Sequence, residues 1–118
     1  MTTYSIIDTA TPINAAGISD LQRAQIKTVI RYYAGQNSWK RLKPEEAAVL
    51  SSAGFQIMVV FEEGNSSSYF THTQGIADAE QALWCASQIN QPAGSAIYFA
   101  VDFDASGSDL NGPITDYF

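Results

Sequence analysis

Four runs of strand character, the third continuously apolar but for Gln56 and the fourth nearly so, constrain this chain more than any other feature. They span residues 4–9 (YSIIDT), 27–33 (KTVIRYY), 55–61 (FQIMVVF) and 95–103 (SAIYFAVDF). A strand with one wet face alternates apolar and polar side chains. A run that is apolar throughout suits a strand covered on both faces, which is the parallel-sheet situation. The segments between the runs are long enough for right-handed crossovers. The expected order is β-α-β-α-β-α-β, and the expected fold class is α/β: a parallel sheet, either one half of a (β/α) barrel or an open doubly wound sheet. No Gly-x-Gly-x-x-Gly or phosphate-loop pattern follows any of the runs, which removes the commonest nucleotide-binding reading.

The helices between the runs have their own signals. Residues 73–90 place Ile76, Ala79, Leu83, Ala86 and Asn90 on one stripe, with Ala82, Cys85 and Ile89 beside it, so that stripe is expected against the sheet. Pro44 suits a first helical position, Glu45 and Glu46 suit the positive helix end, and Gly54 suits the C-terminal cap. In the first connection, Ser19 and Asp20 are expected to cap a short helix through Ile26, with 12–17 as loop.

The chain has 118 residues, enough for one domain with a core. Twelve acids against six bases give a net charge of -6, a balance that repels phosphate backbones and anionic lipid. Nucleic acid and membrane are therefore not expected as partners. Lys40, Arg41 and Lys43 form the one local basic group, and with Glu45 and Glu46 following at once they read as a solvated helix start. Cys85 is the single cysteine and lies among apolar residues, which suits a buried thiol. The opening MTTYSIIDTA lacks the basic and long apolar regions of a secretory leader, and no stretch approaches the ~18 apolar residues of a membrane span. The compartment stays open.

Each run finishes in ionisable residues: Asp8 on the first, Arg31 with Tyr33 on the second, Glu62 and Glu63 on the third, Asp102 and Asp104 on the fourth. In parallel α/β folds the C-terminal strand ends form the ligand face. The side-chain period of two groups Asp102 and Asp104 with Tyr98, Glu62 with Met58 and Val60, Arg31 with Tyr33, and Asp8 with Ile6. The sets ending in Asp8, Arg31, Glu62 and Asp102 are expected to line a barrel interior. Glycoside hydrolysis requires such a cluster, one carboxyl to protonate the leaving oxygen and one carboxylate to act as nucleophile, base or stabiliser. Crowded carboxylates separate into these two roles by shifting one another's pKa. Arg31 would balance charge, and Tyr33, Tyr98 and Trp39 would offer stacking or hydroxyl contacts to a sugar. No cofactor or resident metal enters this reading. A magnesium site on Asp8, Asp102 and Asp104 is a rival use of the same oxygens. Each acid also has a structural alternative as helix cap or ion-pair partner, and His72 reads as a surface or capping residue in the loop before the third helix.

The segments IIDTATP, TVIRYYAG, KPEEAAVLSSAGF, IMVVFEEG, GIADAEQALWCA and above all IYFAVDFD resemble a bacterial and phage-associated glycoside-hydrolase-like TIM-barrel domain family, related in fold to the family 25 lysozymes. The resemblance covers essentially the whole chain. It implies an eight-stranded barrel with an acidic cleft, action on peptidoglycan-type cell-wall polysaccharide, and site acids at Asp8, Glu62, Asp102 and Asp104. The related lysozymes carry a glutamate where Asp104 stands. A full barrel takes about 250 residues, so the chain corresponds to an N-terminal half. It is expected either to lack a C-terminal half or to close as a homodimer, strand four of each copy meeting strand one of the other. A carbohydrate-binding or self-assembling scaffold module without turnover is the alternative function.

Overall fold

The computed structural model describes residues 4–118. The first three residues of the opening segment lie outside the described residues. Four strands, β1 (Ile6–Asp8), β2 (Thr28–Tyr33), β3 (Gln56–Phe61) and β4 (Tyr98–Phe99), form one parallel sheet in the order β1-β2-β3-β4. Between them run α1 (Ala15–Arg23), α2 (Pro44–Ser52) and α3 (His72–Gln88). After β4 come α4 (Gly107–Asp109), a π-helical turn (Leu110–Ile114) and α5 (Thr115–Tyr117). This is the expected α/β fold, half of a TIM-barrel-like ring with β1 and β4 as its edges.

The local signals explain most of the boundaries. Pro44 opens α2, whose N–H groups at that end need no intrahelical partner. Gly54 follows the helix at φ +91, a left-handed conformation that side chains with a Cβ resist. Thr71 caps α3 by accepting a hydrogen bond from Gln74 N at 3.0 Å, so His72 is the first helical residue rather than part of the loop. The first helix departs from expectation. Asn14, not Ser19 or Asp20, is the N-cap, accepting from Gly17 N at 2.9 Å, and the helix ends at Arg23. An Asn side chain one residue before two alanines competes well for the cap, and Ser19 and Asp20 then fall on the helix's solvent side.

The expected fourth strand, 95–103, shrinks to a two-residue ladder. Val60 pairs with Tyr98 and Phe61 with Phe99, and Ala100 N adds one bond to Phe61 O at 3.0 Å. Upstream, the Pro92–Ser95 turn carries the chain away from β3, leaving a cavity of about 640 Å³ at the N-terminal strand ends, bordered by Ile57, Met58 and Ile89.

The register fixes two faces. Val29, Tyr33, Val59 and Phe61 pack outward against Ile18, Leu42, Leu50, Ala82 and Cys85 as the main core. A second cluster of Phe70, Ile114 and Tyr117 packs on Phe99, Val101 and Phe103. The opposite, inner face carries Ile6, Ile30, Tyr32, Met58, Val60 and Tyr98. On α3 the buried line is Gly75, Asp78, Ala82 and Cys85. The expected stripe is rotated away from the sheet, with Ile76 and Leu83 exposed. Asp78 occupies the middle of the true buried line because Tyr69, Tyr117 and Gln74 donate to it at 2.5, 2.6 and 2.8 Å. A fully hydrogen-bonded carboxylate is tolerated there.

Candidate functional site

The inner face at the C-terminal strand ends gathers the acids. Asp8, ending β1, accepts a hydrogen bond from the Tyr32 hydroxyl at 2.8 Å. Glu62, one residue past β3, accepts from Lys40 Nζ at 3.1 Å. The same ammonium stands 5.3 Å from the centre of the Tyr32 ring. Burial, the bond to Asp8, and the negative charges of Asp8, Glu62 and Asp102 push the Tyr32 hydroxyl up to about 12. Tyr32 is therefore a neutral donor standing among three carboxylates, and Lys40 offsets part of their charge. Asp102 and Asp104 follow β4 and are exposed, as is Asp8, whereas Glu62 is half-buried.

The expected charge-balancing residue and one of the expected sugar contacts sit elsewhere. Arg31 and Tyr33 belong to the outer face of β2 and are fully buried. Arg31 forms a two-pronged ion pair with Glu46 of α2, Nε to Oε2 at 2.6 Å and Nη2 to Oε1 at 2.9 Å. Tyr33 donates to Gln91 Oε1 at 2.6 Å and lies in the main core. Arg31 thus balances a carboxylate under a helix, not the site acids, and neither side chain faces the inner surface. Trp39 and Tyr98 remain available, 67% and 53% exposed. Trp39 stands in the loop after β2, next to Lys40.

Lys40 and Tyr32 are the site residues that sequence reasoning missed. Lys40 read as part of a solvated helix start, yet α2 begins only at Pro44, and the bridge between Tyr32 and Arg41 folds the loop back along the sheet. Tyr32 alternates with Arg31, so placing Arg31 inside placed Tyr32 outside. The one available signal was Glu46, a charged group on the helix after β2 that could claim Arg31. Glu63 turns away from the acids and accepts from Gly35 N. The His72 ring is exposed near Asp116 O. Among the described residues no three His, Cys, Asp or Glu side chains converge as metal ligands. No helix among them is long and apolar enough to cross a membrane.

A run of parallel β/α units with carboxylates collected past its C-terminal strand ends defines a glycoside hydrolase-like barrel domain. The chain belongs to the Rv2525c-like, glycoside hydrolase-like domain family, whose model matches residues 19–118. It is similar to two proteins of Bacillus subtilis (strain 168). With uncharacterized protein YbfG it shares 38% identity over 123 residues, covering 98% of this chain and 17% of that one. With uncharacterized protein FadG it shares 33% over 115 residues, covering 94% and 20%. The chain thus spans about a fifth or less of these relatives. Among solved structures, its fold is similar to the Tat-secreted protein Rv2525c of Mycobacterium tuberculosis. The complex with L-tartrate gives a TM-score of 0.80 at 22% identity, covering 93% of this chain and 57% of that one. The complex with HEPES gives 0.77 at 22% identity, covering 93% and 58%.

Proposed function

We propose that the chain acts on bacterial cell-wall, peptidoglycan-type polysaccharide as a glycoside hydrolase-like domain using carboxylate acid/base chemistry. The observation that carries this reading is the placement of Asp8, Glu62 and Asp102 at the C-terminal strand ends, where Asp8 bonds the Tyr32 hydroxyl and the charges of all three raise it. The fold kinship expected with the family 25 lysozymes points the same way. The Tat-secreted nature of the solved relative supports action outside the cytoplasm.

In this mechanism Asp102 faces the anomeric carbon as the ionised carboxylate and stabilises or traps the oxocarbenium-like centre. The leaving glycosidic oxygen takes its proton from Asp104 or Glu62. Glu62 already has Oε1 engaged by Lys40, which makes Asp104 the freer donor. Water supplies the hydroxyl that ends on the sugar, and its proton returns to the donor. Tyr32 orients Asp8, which holds the sugar hydroxyls. Trp39 and Tyr98 offer exposed ring faces of the kind that stack on pyranose rings.

A second reading, a non-catalytic carbohydrate-binding or self-assembling scaffold module, is favoured by the exposure of Asp8, Asp102 and Asp104. Exposed carboxylates beside exposed rings bind sugar hydroxyls without any of them holding a proton. Release of new reducing ends from purified peptidoglycan separates the two. A hydrolase releases them and Asp102→Asn loses the activity by about 100-fold or more. A module releases none in either form, and the substitution only weakens glycan binding.

A further inference from the structure

We propose that Arg31, although it faces away from the acids, is a positioning residue for them. From one buried point between β2 and α2 it ties down the backbone that aims Asp8 and the backbone that aims Lys40. The inference rests on the reading that the inner-face acids act on a glycan.

Two of the three guanidinium nitrogens, Nε and Nη2, are spent on Glu46, whose Oε2 also accepts from Ile13 N at 3.0 Å. The remaining nitrogen, Nη1, reaches three main-chain carbonyls: Thr9 O at 3.2 Å, Ala10 O at 3.4 Å and Lys40 O at 3.0 Å. Thr9 and Ala10 immediately follow Asp8, the carboxylate held by Tyr32. Lys40 is the residue whose ammonium holds Glu62. A single rigid group therefore joins the loop after β1 to the loop after β2, and the site hangs from both. The Glu46 pair compensates the Arg31 charge, and the buried Nη1 N–H groups find their acceptors in these loop carbonyls. A lysine would keep that charge and lose the planar fork that spans the carbonyls.

The Tyr32 hydroxyl is a reporter of the arrangement: beyond burial, its bond to Asp8 and the charges of Asp8, Glu62 and Asp102 hold it up, and Lys40 Nζ lies 5.3 Å from its ring centre. The experiment compares the full chain with Arg31→Lys and with the double variant Arg31→Met/Glu46→Met. The double variant removes both charges together, so no buried ion is orphaned, and Arg31→Lys, which leaves Glu46 on Ile13 N, is the check on folding. Tyrosinate absorbance is followed against pH, each protein referenced to the same chain carrying Tyr32→Phe. Turnover on purified peptidoglycan is measured beside it. The expected result is that Tyr32 falls from about 12 toward 10, and that kcat falls about 10- to 100-fold while KM changes less than about threefold. Folded variants in which Tyr32 titrates as before overturn the proposal. So does a Tyr32 shift with unaltered turnover in an active protein. If the wild-type chain shows no turnover, the hydrolase reading fails. The Tyr32 titration then decides the clamp alone, a shift upholding it and no shift overturning it.

Discussion

At the scale of single residues, two polar knots on opposite faces of the sheet bear on the site, beside the Asp78 knot under α3. The outer one is the buried Arg31–Glu46 pair. Removing one partner strands the other without compensation, so Arg31→Met is expected to cost about 3–5 kcal/mol, and the double replacement by methionine far less. Urea unfolding of the single and double variants checks this. The inner knot is Tyr32 with Asp8. Its hydroxyl and those of Tyr33, Tyr69 and Tyr117 all ionise above the usual tyrosine value. Burial is the main cause in each case, and Asp8 or Asp78 adds to it for all but Tyr33. The sign follows from the proton balance. Below pH 10 the folded and unfolded chains both keep these protons. As pH rises from 10 through about 12, the unfolded chain loses them first. Stability is therefore expected to fall across that window, read as a declining urea midpoint, and Tyr32→Phe is expected to make the decline shallower. The sequence made the acids legible because Asp8, Glu62 and Asp102 each follow an apolar run. It hid the face of Arg31, since TVIRYY is large or apolar on both parities and only a partner 15 residues away settles which side the charge takes.

At the scale of elements, the strands and helices were readable in kind and order, and the errors are ones of face and length. The α3 stripe was misplaced by about one residue, roughly 100° of rotation. Isoleucine and leucine at Ile76 and Leu83 outweighed a buried line containing Gly75 and Asp78, whose burial depends on tyrosines from distant segments. Gly75 is on that line for a steric reason: a Cβ there would collide with the carbonyl of Tyr117. Gly75→Ala is expected to push the terminal helical turns off α3 and lower the thermal midpoint by several degrees. Gly107→Ala, where a Cβ meets open space, is expected to leave it nearly unchanged. Calorimetry of the two variants makes the comparison. The overlong β4 has a different origin. Continuous apolar character reports burial, but a ladder needs a partner. Only Val60 and Phe61 supply ladder pairs, with one more bond from Phe61 O to Ala100 N.

At the scale of the whole molecule, the parallel half-ring was legible because strand-like runs, two of them nearly all apolar, alternate with helical segments and have few other solutions. What completes it was not, and that question governs function. The inner face presents Ile6, Tyr98, Asp8, Asp102 and Asp104 to solvent, and among the described residues nothing pairs with the outer edges of β1 and β4. We propose that a second copy covers these edges when the chain stands alone. Light scattering at micromolar concentration is expected to give a dimer's mass, and a monomer's mass would contradict it. The central claim, that this face is where a glycan binds, is tested most directly by titrating the isotopically labelled chain with a soluble peptidoglycan fragment and following its amide resonances. The account predicts shifts concentrated at Asp8, Tyr32, Trp39, Lys40, Glu62 and Asp102, with the outer residues of α2 and α3 silent. Shifts confined to the outer helices, or none at millimolar fragment, would contradict it.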